Sequence, residues 1–542
     1  MIRISRFRGA RPRVSAKLLE SDQARQAVNC RLTGGNLRPL RAPALIETLP
    51  HAGALQSIYL FARQFWFAWA ADVDVVRGPI PTDTTERTYW TGDGYPKATN
   101  AAIATSGGAT TYPNTAYQLG IPVPENAPQV AIDAGWSGDI EPDAEEFHRW
   151  VYTYVSAWNE EGPPSTPSVI LKHDRDTDGD LLPVSITGMS AVPTGAYNIA
   201  FKRIYRLNTG ESDQDWQLVA EIPVAQTSYT DTVENIDLQN LLVSTDWDGP
   251  PETMKGLIGL PNGGMAGFDG LDVLFCEPYQ PHAWPRRYML TVDHPIVGLG
   301  SFGTTVMICT EAQPYLATGI DPASMALSKL ELEQACVSKR SIGRMGLEGV
   351  VYASPDGLVL VGPGSASVVT FDYYTKEEWK ALSPETMVAF SHDQAYIAFY
   401  DNGVTRGCII MDPKVDGIVH AEVEADGGYV DDLTDTLYLL IDGEVREWDA
   451  GAAMEASWHS KTFSGRPVNP SMAQVVAESY PGGADPIELR IYGDGLLRHT
   501  QAVTSGDPFR LPGGYLARDW EIDVSSTVEV DEIAIGDVED MI

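Results

Sequence analysis

The chain has 542 residues, of which 43% are hydrophobic and 21% charged, with 50 Gly and 37 Pro. That length exceeds a single core and suggests about three or four domains, and the composition is that of a folded chain with many turns, not a disordered one. The net charge is −36, with 74 acidic residues against 38 basic; this excludes a general duplex-binding surface, because affinity for phosphates comes largely from Lys and Arg.

The charge is unevenly placed. Residues 1–41 carry ten basic residues against Glu20 and Asp22, a surplus of +8, and the rest of the chain is left at −44. The basic head has three available partners: an acidic neighbour, the body's own surface, or nucleic acid. Gly34-Gly35 in RLTGGNLRPL reads as a hairpin turn, not a phosphate cradle. The apolar stretch SIYLFARQFWFAWAADVDVV is broken by Arg63, Gln64, Asp72 and Asp74. It reads as two strands, and no transmembrane helix is expected. The N-terminus lacks an apolar signal region, so a secretory signal is not expected either.

A Pro-rich boundary, LGIPVPENAPQ, precedes RWVYTYVSAWNEEGPPSTPS. Alternating Trp150, Tyr152 and Tyr154, the NEEGPPS bend, a strand from Phe201 and a closing strand at Tyr229–Asp231 predict a fibronectin III or immunoglobulin-like sandwich over residues 127–240. Within it, HDRDTDGD places Asp174, Asp176, Asp178 and Asp180 at alternate positions around Gly179. Such spacing can wrap Ca²⁺, but the twelfth loop position is Ser185 and no helices flank it. The competing reading is a polar hairpin turn.

Strand pairs around tight turns dominate the second half: VVYAS-PDG-LVLVG, AYIAFY-DNG-VTRGCIIM and LYLLI-DG-EVREWD. Asp356-Gly357, Asn402-Gly403 and Asp442-Gly443 are 46 and 40 residues apart, and Asp269-Gly270 lies 87 before the first. Asp or Asn before Gly tolerates the positive φ of two-residue hairpins, and a period of about 40–50 residues is what propeller blades give. Two short helices are expected. One is in DYYTKEEWKAL, where Thr375 and Glu378 form a capping box; the other is a turn over Leu330–Val337. Residues 456–542 read as a further β-sandwich.

The expected fold is therefore mainly β, an irregular propeller with an inserted sandwich and a C-terminal one. Its parts are a basic arm and first hairpin (1–50), propeller segments (51–126 and 241–455), the inserted sandwich (127–240) and the last sandwich (456–542). The five Cys lie at least 27 positions apart without a CxxC, so buried free thiols are expected. No HExxH, GxSxG or GxxxxGK[ST] motif occurs. Neither a catalytic residue nor a cofactor is named, and the chain is read as a non-enzyme.

The N-terminal FRGARPRVSAKLLESDQARQAVNCRLTGGNLRPLR resembles the opening of bacteriophage tail proteins, through Gln26, Ala27, Asn29, Cys30, Gly34-Gly35, Leu37, Arg38 and Pro39. PIVGLGSFGTTVMICTEAQPYLATG, VVYASPDGLVLVG and the YYTKEEW helix resemble the propeller core of short-tailed phage (podovirus) tail nozzles. The resemblance implies a structural virion protein, made in the host cytoplasm and assembled as a homohexamer below a head–tail adaptor. It would extend the DNA-ejection channel, pass double-stranded DNA without specific binding, and help anchor tail fibres or spikes. Arg3, Arg6, Arg8, Arg11 and Arg13 then become candidates for subunit or adaptor contacts, because opposite charges favour docking. The alternative is a glycan-binding or glycan-cleaving β-propeller surface protein.

Overall fold

Short strands whose two faces are both apolar need a neighbour on each side, and that requirement organises this molecule. The computed structural model describes residues 1–537 except 52, 109, 208–214, 239, 346 and 483–485. The chain divides into two compact units. One comprises residues 1–72, 294–317 and 328–542, the other 73–293 and 318–327. The block expected at 51–126 is therefore divided after Asp72. The fold is mainly β, with two short helices among the described residues.

In the larger unit, antiparallel sheets follow one another in chain order. The hairpin Ile296–Phe302/Thr305–Thr310 precedes the sheet Gly343–Met345, Gly349–Ser354, Gly357–Gly362, Ser365–Val368. Next come Val388–His392, Ala395–Asp401, Arg406–Met411 and Val419–Ala421, then Gly427–Asp431, Thr436–Ile441 and Glu444–Glu447. Each sheet packs on the next. Met307, Cys309, Val350 and Val359 share one core. Val351, Leu358, Ala389 and Tyr396 share a second, and Phe399, Cys408, Leu437 and Trp448 a third. The early hairpin Ser57–Phe61/Phe65–Trp69 then packs Ile58 and Trp66 against Leu440 and Val445 of the late sheet. The early strand Ala44–Thr48 adds itself as fourth strand beside Glu444–Glu447.

The expected arm over residues 1–50 is not an arm. Ile2–Ile4 pairs with Val530–Gly536, and Ala24–Val28 lies between Val419–Ala421 and Ala456–Ser460 inside one ten-stranded sheet. Between them, Ala10 and Ile418 exchange backbone hydrogen bonds of 2.8 and 3.0 Å. The backbones approach so closely that a Cβ on Gly9 would stand 2.5 Å from the Gly417 carbonyl carbon, which is why both positions are glycine. The C-terminal sandwich thus has strands of N-terminal origin. Phe7, Ala27, Trp458, Val475, Leu489, Ile522 and Ile533 form a single core there.

In the smaller unit, a three-stranded sheet (Gln129–Ile132, Val184–Thr187, Tyr229–Asp231) faces a four-stranded one in the order Leu171–Asp176, Ile140–Ser156, Ile199–Leu207, Trp216–Pro223. Trp150, Tyr152, Tyr154, Val184, Ile186 and Ile204 fill the space between them. This is the sandwich the aromatic alternation predicts. Two further four-stranded sheets, spanning Asp74–Gln118 and Lys255–Thr291, share the core of Tyr89, Met254, Met265 and Leu274.

The helix Lys376–Ala381 forms where expected. The helical turn expected over Leu330–Val337 does not. That segment runs without regular structure, Leu330 and Leu332 packing on the core that holds Cys336. Only its first part, Leu330-Glu331-Leu332-Glu333, alternates apolar with charged, a period that suits an extended chain and not a helix.

Candidate functional site

Two features carry charge in a fixed geometry, and the first is the basic N-terminal segment. Arg8 lies 2.9 Å from Asp22, 3.0 Å from Glu20 and 3.5 Å from Asp416. Arg11 pairs with the same Asp416 and lies over the Tyr373 ring. Burial alone would raise the Asp416 carboxyl, but hydrogen bonds from Arg11 and Gln23 and the charges of Arg11 and Arg8 hold it below its ordinary value. Arg3 pairs with Glu532 at 2.8 Å. Arg13 stacks 4.2 Å over Phe371, and Arg6 stays exposed. Beyond these five, Lys17 meets Asp519, Arg25 meets Glu521, and Arg31 meets Asp449 and Asp393. Of the three partners open to the basic head in the sequence, the body's own surface takes most of it.

The second feature is a polar cleft of about 540 Å³ in the larger unit. It is lined by Gln56, Arg340, Thr386, Asp401, Arg406, Asp426 and Asp442 among others. The hairpins that follow the sheet meander deliver these groups. Asn402 Oδ1 accepts the N–H groups of Val404 and Thr405, which holds the turn that presents Asp401 and Arg406. Arg406 reaches Asp426 at 2.6 Å, Glu424 at 2.9 Å and Asp401 at 3.6 Å. Burial opposes its charge, yet the Asp426 hydrogen bond and the three carboxylates raise its pKa. Arg340 donates to the carbonyls of Gln56 (2.7 Å) and Asp426 (2.6 Å). Arg406 also lines a neighbouring cleft of about 470 Å³, with Arg25, Gln26, Tyr400, His420 and Glu422. Fixed guanidinium donors beside carboxylate acceptors suit a polar ligand held by hydrogen bonds. Sequence reasoning did not find this site, because its residues come from separate strands and loops between 53 and 443 and share no local motif.

Asp174 and Asp176 end the strand Leu171–Asp176, and Asp178 and Asp180 lie in the turn that follows it. The described residues hold no group of three or more His, Cys, Asp or Glu placed to bind a metal ion. Asp176 Oδ1 instead accepts the N–H groups of Asp178 (3.0 Å) and Asp180 (2.9 Å), while Asp174 lies 3.3 Å from Lys172. The carboxylate fastens its own turn, which is the hairpin alternative. Cys30, Cys276, Cys309, Cys336 and Cys408 are free and buried, and burial pushes the Cys30 and Cys276 thiols up to about 12. No helix of the described residues is long and apolar enough to cross a membrane.

Sequence comparison finds neither a matching family model nor a matching curated protein. Solved structures do match, at low similarity. An exo-β-1,3-galactanase from Phanerochaete chrysosporium is 10% identical over 67% of this chain and 97% of its own, with a TM-score of 0.22. The N-terminal domain of Nup159 is 10% identical over 72% and 99%, at 0.23. A glycoside hydrolase is 11% identical over 73% and 96%, at 0.15. The likeness is one of β-rich build. The exclusion of an enzyme drawn from the sequence is corrected on chemical grounds. The exclusion rested on missing local motifs. A pair of glycosidase carboxylates is defined by its separation in space and can be assembled from distant strands, so it leaves no such motif.

Proposed function

We propose that the chain is a structural virion protein of the short-tailed phage tail, a nozzle component whose sheets form the blades of a propeller and whose copies surround the DNA-ejection channel as a homohexamer. One observation carries the reading. Most of the basic segment is neutralised by the chain's own carboxylates, so the surface it leaves to solvent is strongly acidic. A conduit for DNA must not bind its cargo. Each phosphate contact would add a salt-dependent attraction, whereas an acidic wall repels the duplex within a Debye length of about 8–10 Å. The N-terminal and core resemblances support the same assignment. Adaptor, fibre and spike contacts belong to this reading, as does placement in the virion tail. Negative-stain imaging of the purified chain, alone and with an adaptor, tests it. Six-fold rings or tubes that do not retain duplex DNA are expected; a chain that never assembles, or that holds duplex DNA, sinks it.

The polar cleft around Arg340 and Arg406 favours a second reading, a glycan-binding or glycan-cleaving surface protein. It expects binding on a glycan array, or release of sugar from a polysaccharide, that is lost in Asp401→Asn and Asp442→Asn. A chain silent in both assays would remove this reading.

A further inference from the structure

Two edge strands of the larger unit carry complementary surfaces. The first is Phe463–Val468, which pairs on one side with Ala517–Ser526. Val468 lies opposite Ala517, and the register is interrupted between Ser464 and Val468. On the other side of Ala517–Ser526 runs Ile487–Gly493, whose Gly493 pairs with Trp520 and, across the hairpin tip, with Leu496. Asp494 binds this tip to the backbone N–H groups of Arg518 and Asp519 at 3.0 Å each. Four adjacent strands, Phe463–Val468, Ala517–Ser526, Ile487–Gly493 and Leu496–Val503, spaced about 4.8 Å apart, therefore place Val468, Leu516, Leu496 and Leu497 along one end of the sheet. These side chains are 49%, 66%, 59% and 53% exposed. Arg466 and Arg518 are exposed beside them. The nearby Asp519 is already occupied by Lys17 and Ser464. Single exposed apolar residues are ordinary, but four along one sheet end, with two exposed guanidinium groups on the same strands, have the form of a contact surface.

The second edge is Ala44–Thr48, the last strand of its four-stranded sheet. Leu45 and Ile46 are 53% and 47% exposed. Glu47 is exposed between them and the open end, and the flanking residues are Asp442, Glu444 and Glu447, against Arg446. This edge is apolar and acidic where the first is apolar and basic.

The geometry points to a second copy of this chain as the occupant. The basic apolar edge at Val468, Leu516 and Arg518 of one copy docks on the acidic apolar edge at Leu45, Ile46 and Glu47 of the next. Charge complementarity selects the partner: in a chain with a net charge of −36, a basic edge on one copy is matched by an acidic edge on the next. The two surfaces differ, so the contact is heterologous and generates a ring or an open chain, not a two-fold dimer. Among the described residues each edge strand pairs with a neighbour on one side only, the arrangement used in strand addition. Pro467 removes one donor, which leaves more of the contact to side chains. The proposal deepens the assembly reading above by naming the surfaces copies use.

Charge reversal tests it on the full chain by sedimentation velocity over a range of concentration and salt. Arg466→Glu with Arg518→Glu should weaken self-association at least tenfold, and so should Glu47→Arg. Circular dichroism and melting temperature should match the wild type. A one-to-one mixture of the two variants should associate again, since each now matches the other's reversed edge. The contact is overturned if the wild type stays monomeric, if neither variant weakens association, or if the mixture associates no better than each variant alone. Imaging separates this from the assembly reading. Rings that persist in both variants overturn the contact and leave the nozzle reading; open chains that obey the charge swap support the contact and overturn the nozzle reading.

Discussion

Two buried histidines in the sandwich-bearing unit are held neutral. His148 Nδ1 lies 2.8 Å from His173 Nδ1, and His173 Nε2 lies 2.6 Å from the Leu182 carbonyl. The carbonyl needs a donor, so His173 presents a bare Nδ1 and His148 supplies the proton between them. Burial lowers His148 to about 3, helped by the charge of Arg206, and lowers His282 to about 4. The sign follows from linkage. The unfolded chain takes these protons below about pH 6.5 while the folded chain does not, so stability is full above that pH and falls as pH drops toward the folded values. His459 runs the other way. Hydrogen bonds from its ring to Asp523 and Glu521 outweigh burial and raise its pKa, so its contribution is full in acid and lost as pH rises through the folded value. With more groups on the lowered side, urea midpoints should fall from pH 7 to pH 5. His282→Gln cannot titrate and should flatten that slope by up to about 1.4 kcal/mol per pH unit. An unchanged slope would show that His282 already titrates normally in the fold.

At the scale of the element, the turns show how far local chemistry reaches. Asp442 and Gly443 both take positive φ, 51° and 78°, in the two-residue hairpin their sequence predicts. Asp393-Gln394 does the same at 48° and 65° with no glycine to announce it. At Asp356-Gly357 the loop is Pro355-Asp356, and Gly357 is already the first residue of the next strand. The helix Lys376–Ala381 was fully legible. Thr375 Oγ1 accepts the Glu378 N–H at 3.2 Å, and Glu378 Oε2 accepts the Thr375 N–H at 2.8 Å. What the capping box does not reveal is why so short a helix persists. Trp379 is fully buried and donates to the Ser354 carbonyl at 2.8 Å, tying the helix to the neighbouring sheet. Thr375→Ala should therefore cost about 1 kcal/mol and Trp379→Ala about 3–5 kcal/mol in denaturant unfolding. Equal costs would mean that the cap, not the tether, holds the element.

At the scale of the whole molecule, the N-terminal segment decides how the larger unit closes on itself. A basic arm would be dispensable for folding. Here Ile4, Phe7 and Ala10 are buried in the C-terminal core, and Phe7 meets Trp458 edge-on at 5.1 Å. Removing residues 1–13 should thus lower the melting temperature by several degrees or abolish folding, since losing a buried Phe alone costs about 3–5 kcal/mol. A truncated chain that melts with the wild type would restore the arm. Buried ion pairs act at the same scale. Arg206 and Asp231 are fully buried at 2.8 Å, joined by Trp150 Nε1 at 2.9 Å, and they link the two sheets of the inserted sandwich.

The sequence by itself determined the local terms: strand-rich composition, the aromatic face of Trp150, Tyr152 and Tyr154, the capping box, the Asp442-Gly443 turn, and five buried thiols. Each depends on residues within a few positions of one another, so period and turn chemistry suffice. Only the tertiary structure decided where the basic head goes, since pairing Arg11 with Asp416 or Arg25 with Glu521 spans hundreds of residues. It alone assembled the Arg406 cleft, turned Asp176 toward its own backbone, and set an acidic and a basic edge on one chain. Those outcomes depend on which distant strands pair, and no local spacing records that.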